Sequence, residues 1–358
     1  MVMVIDGTAG ITFPDTSKQY NSYYNFKNRI INGAMMIDQR NAGASVTLTS
    51  SNVYNLDRWF ARAATGSGTT AIQSTTVPAN FKNSLLITVG TGASPGASDN
   101  NYVAQRIEGL NMADFGWGTA NATTVTLSFW VRSSVTGTFG GAIQNNALDR
   151  SYPFTYTINA ANTWEFETIT IPGDTTGTWL TTNGVGLVLT IDLGTGSTFQ
   201  GTAGAWAASD FRAASGTSKI ISTSGATFAI TGVQLEKGTQ ATSFDYRAYG
   251  TELALCQRYF ESSFPIGTAP AQNIGKFNHA IFAGNSDGGS LEGVINFSVI
   301  KRAAPSTVIY YNPSAANANF SNGGTVGQIS ADVWGIDVFT TTVTGARSFV
   351  NWSATSEL

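Results

Sequence analysis

Hydrophobic and polar residues alternate in short runs along most of this 358-residue chain. From Thr124 to Val131 the order Thr-Val-Thr-Leu-Ser-Phe-Trp-Val sets hydroxyl-bearing residues against apolar ones. Successive strand side chains point to opposite faces, so the run predicts a strand with one dry and one wet face. Trp164 to Ile171 repeats the pattern and stops at Pro172-Gly173-Asp174, where Pro presets φ and Gly and Asp favour a turn. Leu85–Val89, Phe154–Ile158, Val185–Ile191 and Thr227–Leu235 read the same way. Short strands divided by Gly, Asn, Ser and Thr clusters predict an all-β fold, a jelly-roll β-sandwich over residues 34–247.

A linking helix is expected within 248–262. Thr251 can cap it, Glu252 sits in the first turn where the helix dipole favours an acid, and Leu253, Cys256, Gln257 and Phe260 share a stripe. The stripe is too narrow for a full core face and suits helix–helix contact about a threefold axis, with Leu253, Cys256 and Phe260 as interface residues. The β pattern then resumes at Asn278–Ala283, Gly293–Ile300, Thr307–Tyr311 and Val333–Thr342, predicting a smaller β-sandwich over 263–358. Residues 1–33 form an attachment segment whose short strands are too few for a core of their own. They are expected to borrow partners from trimer mates or from a particle.

Charged residues make up 11% of the chain, under half the roughly 25% usual in soluble domains. The surface is therefore built from Ser, Thr, Asn and Gly. A net charge of −3 gives no basic patch for nucleic acid or an anionic membrane. No apolar run approaches the roughly 18 residues of a spanning helix, so no membrane insertion is expected. Cys256 is the one cysteine, which excludes an intrachain disulfide. Met1 to Gly7 lacks a basic n-region and a cleavage site, so no export signal is expected.

Chemistry is sparse. One histidine, His279, and one cysteine cannot make a metal site of His or thiolate ligands, and His279 sits in an alternating run with no nucleophile elbow. Glu165 and Glu167 lie on one side of a strand at a spacing that could serve glycoside hydrolysis, yet a solvated strand face explains them better. Asp99, Asn100, Asn101, Asp332 and Asp337 could offer oxygen ligands to calcium, but no EF-hand-like loop is present. The stretches Gly92–Gly96 and Gly194–Gly196 lack the following Lys and helix of a phosphate loop. No catalytic residue, metal or cofactor is assigned.

Aromatic residues are abundant: eight Trp, twelve Tyr and twenty-one Phe. Trp130 and Trp164, within strands, are expected in the core. Trp117 and Trp206 lie in loops among small residues, where a rigid indole can stack a sugar ring while amides bind its hydroxyls. These two are the expected glycan contacts.

Asn32-Gly33-Ala34-Met35-Met36-Ile37-Asp38-Gln39-Arg40 resembles the opening NG-x-M-x-I-x-QR of many bacteriophage tail-fibre and receptor-binding proteins, as does Asp57-Arg58-Trp59 soon after. The string Gln234-Leu235-Glu236-Lys237-Gly238, Ala241-Thr242-Ser243-Phe244, Tyr246-Arg247 and Glu252-Leu253-Ala254-Leu255-Cys256-Gln257-Arg258-Tyr259-Phe260 is similar to a second signature of these fibres. Arg302-Ala303-Ala304-Pro305 resembles a third, and residues 7–15 are similar to fibre collar segments. Gly232 replaces an acid that can ligate calcium in related sugar modules, and Lys301 replaces the usual Met. Phe244 and Tyr246 are expected to lock the chain's exit path onto the sandwich.

The resemblance implies a virion protein of a tailed phage with a carbohydrate-module-like jelly roll. It implies a homotrimeric fibre that binds host-surface polysaccharide and is joined to a phage tail or head protein through residues 1–33. A head fibre, capsid decoration or baseplate protein is the alternative, and a glycan depolymerase the second.

Overall fold

The computed structural model describes residues 4–6, 10–12, 18–19, 26–275, 280–282, 291–311, 327–340, 347–349 and 351–358. Strands β1 (Val4–Asp6), β2 (Gly10–Thr12) and β3 (Lys18–Gln19) pair with one another as a small antiparallel sheet, with Val4 opposite Thr12.

The body that follows is built from β4 (Val46–Thr47), β5 (Val53–Leu56), β6 (Trp59–Ala63), β7 (Thr70–Ser74), β8 (Ser84–Thr88), β9 (Asn101–Glu108) and β10 (Val125–Ser133). It continues through β11 (Gly137–Gln144), β12 (Ser151–Ile158), β13 (Glu165–Ile171), β14 (Val185–Asp192), the short pair β15 (Gln200–Gly201) and β16 (Ala213–Ala214), and β17 (Thr227–Lys237). Sheet I has the order β13-β10-β17-β8-β7-β4 and sheet II the order β12-β11-β14-β9-β6-β5. The long strands switch sheets repeatedly along the chain, giving the expected all-β jelly-roll sandwich.

Strand periodicity sets the core. On β10, Val125, Leu127, Phe129 and Val131 face inward and are fully buried, meeting Leu187, Leu189 and Ile191 of β14 in one cluster. Thr126, Ser128 and Trp130 face the other way. Trp130 thus lies on the outer face of sheet I, where the strand alternation puts it, rather than in the core. Burying an aliphatic or Phe side chain contributes about 1.5–3 kcal/mol, so this face sets the register firmly. The 197–217 segment lies over the outer face of sheet II: Thr190 donates to the Arg212 carbonyl and Ser151 to the Ser209 carbonyl.

Helix α1 (Tyr249–Gln257) begins two residues before the expected Thr251 cap, and Ala248 occupies the N-cap without a side-chain bond. Glu252 in its first turn is held instead by Arg247 and the Asn32 amide. The helix ends at Gln257, so Phe260 opens β18 (Phe260–Ser262) rather than closing the stripe.

The C-terminal unit adds β19 (Ala280–Phe282), β20 (Leu291–Asn296), β21 (Thr307–Tyr311), β22 (Gly327–Ala331), β23 (Gly335–Thr340), β24 (Arg347–Phe349) and β25 (Asn351–Thr355). Sheets β18-β25-β21 and β20-β23-β22 enclose Ile295, Ile336, Trp352 and Ala354.

Candidate functional site

The outer face of sheet I carries a row of aromatic rings. Phe166 on β13 lies directly opposite Trp130 on β10, their ring centroids 5.3 Å apart. β17 comes next, and there it bulges: Ser128 pairs with Gln234 but Trp130 with Thr231, which leaves Gly232 in the surplus position with φ at 62°. A Cβ at Gly232 would stand 2.6 Å from Phe81 and 3.1 Å from Trp130, so its absence lets both rings lie over this strand side by side. Phe81 packs in turn on Phe244 at 5.2 Å and Tyr246 at 5.5 Å.

The row therefore runs Phe166, Trp130, Phe81, Phe244, Tyr246 across strands about 4.8 Å apart. Phe166 is 46% exposed and Tyr246 54% exposed, while the three rings between them are half-buried. Strand hydroxyls lie alongside, with exposed Thr168 beside Phe166 on the same face. Nearby Asp245 is held at 3.8 Å by Arg247 and also accepts the Asn28 amide. The platform is thus apolar rings with neutral donors, fixed by sheet hydrogen bonds.

Phe244 and Tyr246 reach the row on a strap that Gln234 and Glu236 hold. Glu236 accepts from the Thr242 amide and hydroxyl at 2.8 and 2.7 Å, and Gln234 accepts the Asp245 amide at 2.8 Å. The Tyr246 hydroxyl donates to the Asn80 carbonyl at 2.8 Å. A recess where strap, α1 and residues 28–36 meet holds only about 20 Å³, room for about one water.

Of the two tryptophans expected to stack sugars, Trp117 is placed otherwise. Trp117 is 5% exposed and caps one end of the core, its indole donating to the Thr123 carbonyl. Its small neighbours let it fold inward against Trp179 at 4.7 Å and Trp206 at 5.3 Å, so its ring faces are covered. Trp206 is half-buried at the outside of this cluster, packed on Tyr152 and donating to the Pro172 carbonyl. Trp164 is half-buried immediately before β13.

Glu165 and Glu167 do share a side of β13, but it is the inward side with Ile169 and Ile171, at the sandwich edge. Glu165 accepts from the Asn159 and Ala160 amides, and these bonds hold its carboxyl below the ordinary range. Burial pushes the Glu167 carboxyl up, with Glu165 adding repulsion. Glu165 caps a turn, and Glu167 beside it is half-buried against the sandwich edge.

The oxygens considered for calcium are engaged. Asp99 accepts from the Thr65 hydroxyl and the Gly96 amide, Asn100 from Arg212, Asn101 from the Thr65 amide, and Asp332 from the Trp334 and Gly335 amides. The Asp337 side chain and His279 lie outside the described residues. Among the described residues no group of three metal-ligating side chains converges.

Leu253, Cys256 and Phe260 do not form an exposed stripe. Cys256 is fully buried against Ile31, Ile37 and Tyr259, and Leu253 packs on the same cluster. Phe260 is buried beneath the Arg40 guanidinium, 3.7 Å from its ring centroid. The narrow stripe is filled by the chain's own residues 31–37. Among the described residues no helix is long and apolar enough to cross a membrane.

No family model and no curated protein sequence matches the chain. Similar solved structures include the enzymatically active domain of tailspike protein 4 of bacteriophage CBA120, at 13% identity over 59% of this chain and 22% of that one, TM-score 0.31. A CBM4 structure shows 16% identity over 58% of this chain and 98% of its own, TM-score 0.31. A protein described as sugar-binding from Bacteroides thetaiotaomicron shows 13% identity over 59% and 100%, TM-score 0.34. This chain spans less than a quarter of the tailspike chain's length. At such identities these names describe those proteins and not this one.

Proposed function

We infer that this chain is a non-catalytic glycan-binding protein whose sugar-contacting surface is the ring row on sheet I. The observation that carries the reading is the placement of Phe166, Trp130 and Phe81 side by side on a rigid sheet face, made possible by Gly232. Ring faces with adjoining hydroxyls bind the apolar CH faces of sugars and leave their hydroxyls hydrogen-bonded. Mobility of the full chain in native gels cast with neutral polysaccharides tests this. Retardation that Trp130→Ala and Phe166→Ala abolish, while Trp117→Phe leaves it intact, is the expected result. Retardation unaffected by both ring deletions removes the reading.

Within it, the chain serves as a homotrimeric structural protein of a tailed-phage virion, a fibre carried on the particle through residues 1–33. The ordered signature residues support this, and many weak ring platforms multiplied by copy number give avidity without a deep pocket. Light scattering of the purified chain is expected to give three times 37.7 kDa. A stable monomer excludes the trimer, and immunogold labelling confined to heads excludes the tail fibre.

A further inference from the structure

The outer face of sheet II beside the 197–217 segment has a different chemistry from the ring row. Tyr54, Phe60 and Tyr102 form a floor there, with centroids 5.5 Å apart for Tyr54–Phe60 and 6.4 Å for Phe60–Tyr102. Three guanidiniums lie over it: Arg40 at 4.8 Å from the Tyr54 ring, Arg106 at 5.1 Å from Phe60 and Arg212 at 5.8 Å from Tyr102. Arg62 is the direct cross-strand partner of Tyr102 on the same face. An arginine seated on a ring keeps its planar N–H edge free to bind a carboxylate in bidentate fashion.

Acids meet only part of this charge. Glu357 pairs with Arg40 and Arg58, and Asp210 with Arg212. Arg62 has no acidic partner among the described residues: its Nη2 donates to the Ser50 carbonyl, and its Nε is buried without an acceptor. Arg106 donates through Nη1 to the terminal oxygen of Leu358, and its remaining N–H groups meet no acidic side chain among the described residues. Phe60 pairs with Ala104, so Arg62 and Arg106 stand two residues to either side of that pair. Their strand positions are about 14 Å apart along the sheet at roughly 3.4 Å per residue. One small anion cannot reach both, whereas a chain carrying a carboxylate on successive sugars can.

We propose that this arginine-and-tyrosine face is a second saccharide site, specific for acidic polysaccharide, with Arg62 and Arg106 as the carboxylate-binding residues. It is separate from the ring row, and either site can exist without the other.

The full chain run in native gels containing polygalacturonate, alginate or polysialic acid, each beside its carboxyl-reduced counterpart, tests the proposal. At least one acidic polymer is expected to retard the protein, with binding about tenfold weaker after carboxyl reduction and in Arg62→Gln or Arg106→Gln, a loss of about 1.4 kcal/mol. Trp130→Ala is expected to leave this retardation unchanged while removing that by neutral glycan, which keeps the two sites distinguishable. Arg62→Lys, which retains charge without the fork, gives an intermediate result, and thermal melts report whether each variant is folded. No retardation by any of the three polymers, equal retardation by acid and reduced forms, or displacement by inorganic phosphate at equal charge concentration overturns the proposal.

Discussion

The carboxylate of Glu252, in the first turn of α1, accepts the main-chain N–H of Asn32, 220 residues earlier in the chain. The same carboxylate takes Arg247 at 3.2 Å, and Arg247 in turn donates to the carbonyls of Asn28 and Ile30. Asn32 completes the joint through its amide, bound to Ile37 and to the Asp57 carbonyl. Glu252→Ala leaves the buried Asn32 amide donor unmet and takes the nearest acid from a guanidinium that keeps the Asn28 and Ile30 carbonyls and Asp245, the lost amide partner alone costing about 1–3 kcal/mol. Thermal melts are expected to fall by several degrees at about 2–4 °C per kcal/mol, with polysaccharide binding by the folded protein unchanged. An unaltered melting temperature shows that the joint contributes nothing.

That joint explains what the sequence could and could not disclose. The β-strand runs were legible because each keeps a period of two, as in Val125 to Val131, and the core followed from them. The residues that resemble a fibre signature were legible as a string, but what they do in the fold is structural: Gln39 binds Asp57 and the Phe260 carbonyl, and Tyr259 and Arg258 bind Glu108. Lys301 likewise stands buried against Glu261 with a second bond to the Gln257 carbonyl, an ion pair in place of an apolar contact. The ring row was hidden because its members come from β10, β13, the loop before β8 and the strap, and only strand order brings them together. The signal available was Gly232, a glycine inside an otherwise strong strand pattern, which marks a bulge or a close approach. The inward turn of Trp117 has no signature in a single chain, since small neighbours permit either orientation.

Gly232→Ala tests the row's foundation. The added methyl must displace Phe81 or Trp130, and its φ of 62° disfavours any L side chain. Loss of left-handed tolerance and overpacking together cost about 1.5–4 kcal/mol. A lowered melting temperature is expected together with a red-shifted tryptophan emission, as Trp130 moves toward water, and weaker neutral-glycan retardation. Unchanged emission and binding would falsify the role assigned to this glycine.

Cys256 reports on the packing of α1. Its thiol is fully buried, and burial pushes its pKa well up, so both access and reactivity are low. A thiol reagent such as a disulfide dye is expected to react with the native chain only as fast as α1 opens, and at once in denaturant. Cys256→Ser places a hydroxyl among Ile31, Ile37 and Tyr259 and costs about 1–3 kcal/mol. Rapid labelling of the native monomer or trimer is the contrary outcome, and it would mean that the stripe is exposed after all.

The dependence of stability on pH follows from two buried acids. Burial pushes the Asp57 carboxyl up to about 7, only partly countered by Arg40 at 3.8 Å and by the Gln39 amide. Burial likewise raises Asp192 to about 6 against amide bonds from Gly194 and Thr195. In the unfolded chain both titrate near 3.9. Between about pH 4 and pH 7 the folded state therefore holds more protons than the unfolded one, and stability falls as pH rises. The limit is about 1.4 kcal/mol per pH unit for each group while its protonation differs fully. Asp99, Glu165 and Asp174 have the opposite sign, because hydrogen bonds hold them low, and their contribution is lost only as pH falls below about 4. Melting temperature is thus expected to peak near pH 4–5 and decline toward pH 8. Asp57→Asn keeps an acceptor for Gln39 but cannot ionise, so its decline should be shallower, most clearly between pH 6 and pH 8. A wild-type melting temperature that climbs from pH 5 to pH 8 would show that Asp57 is ionised in the folded protein and that Arg40, not burial, governs it.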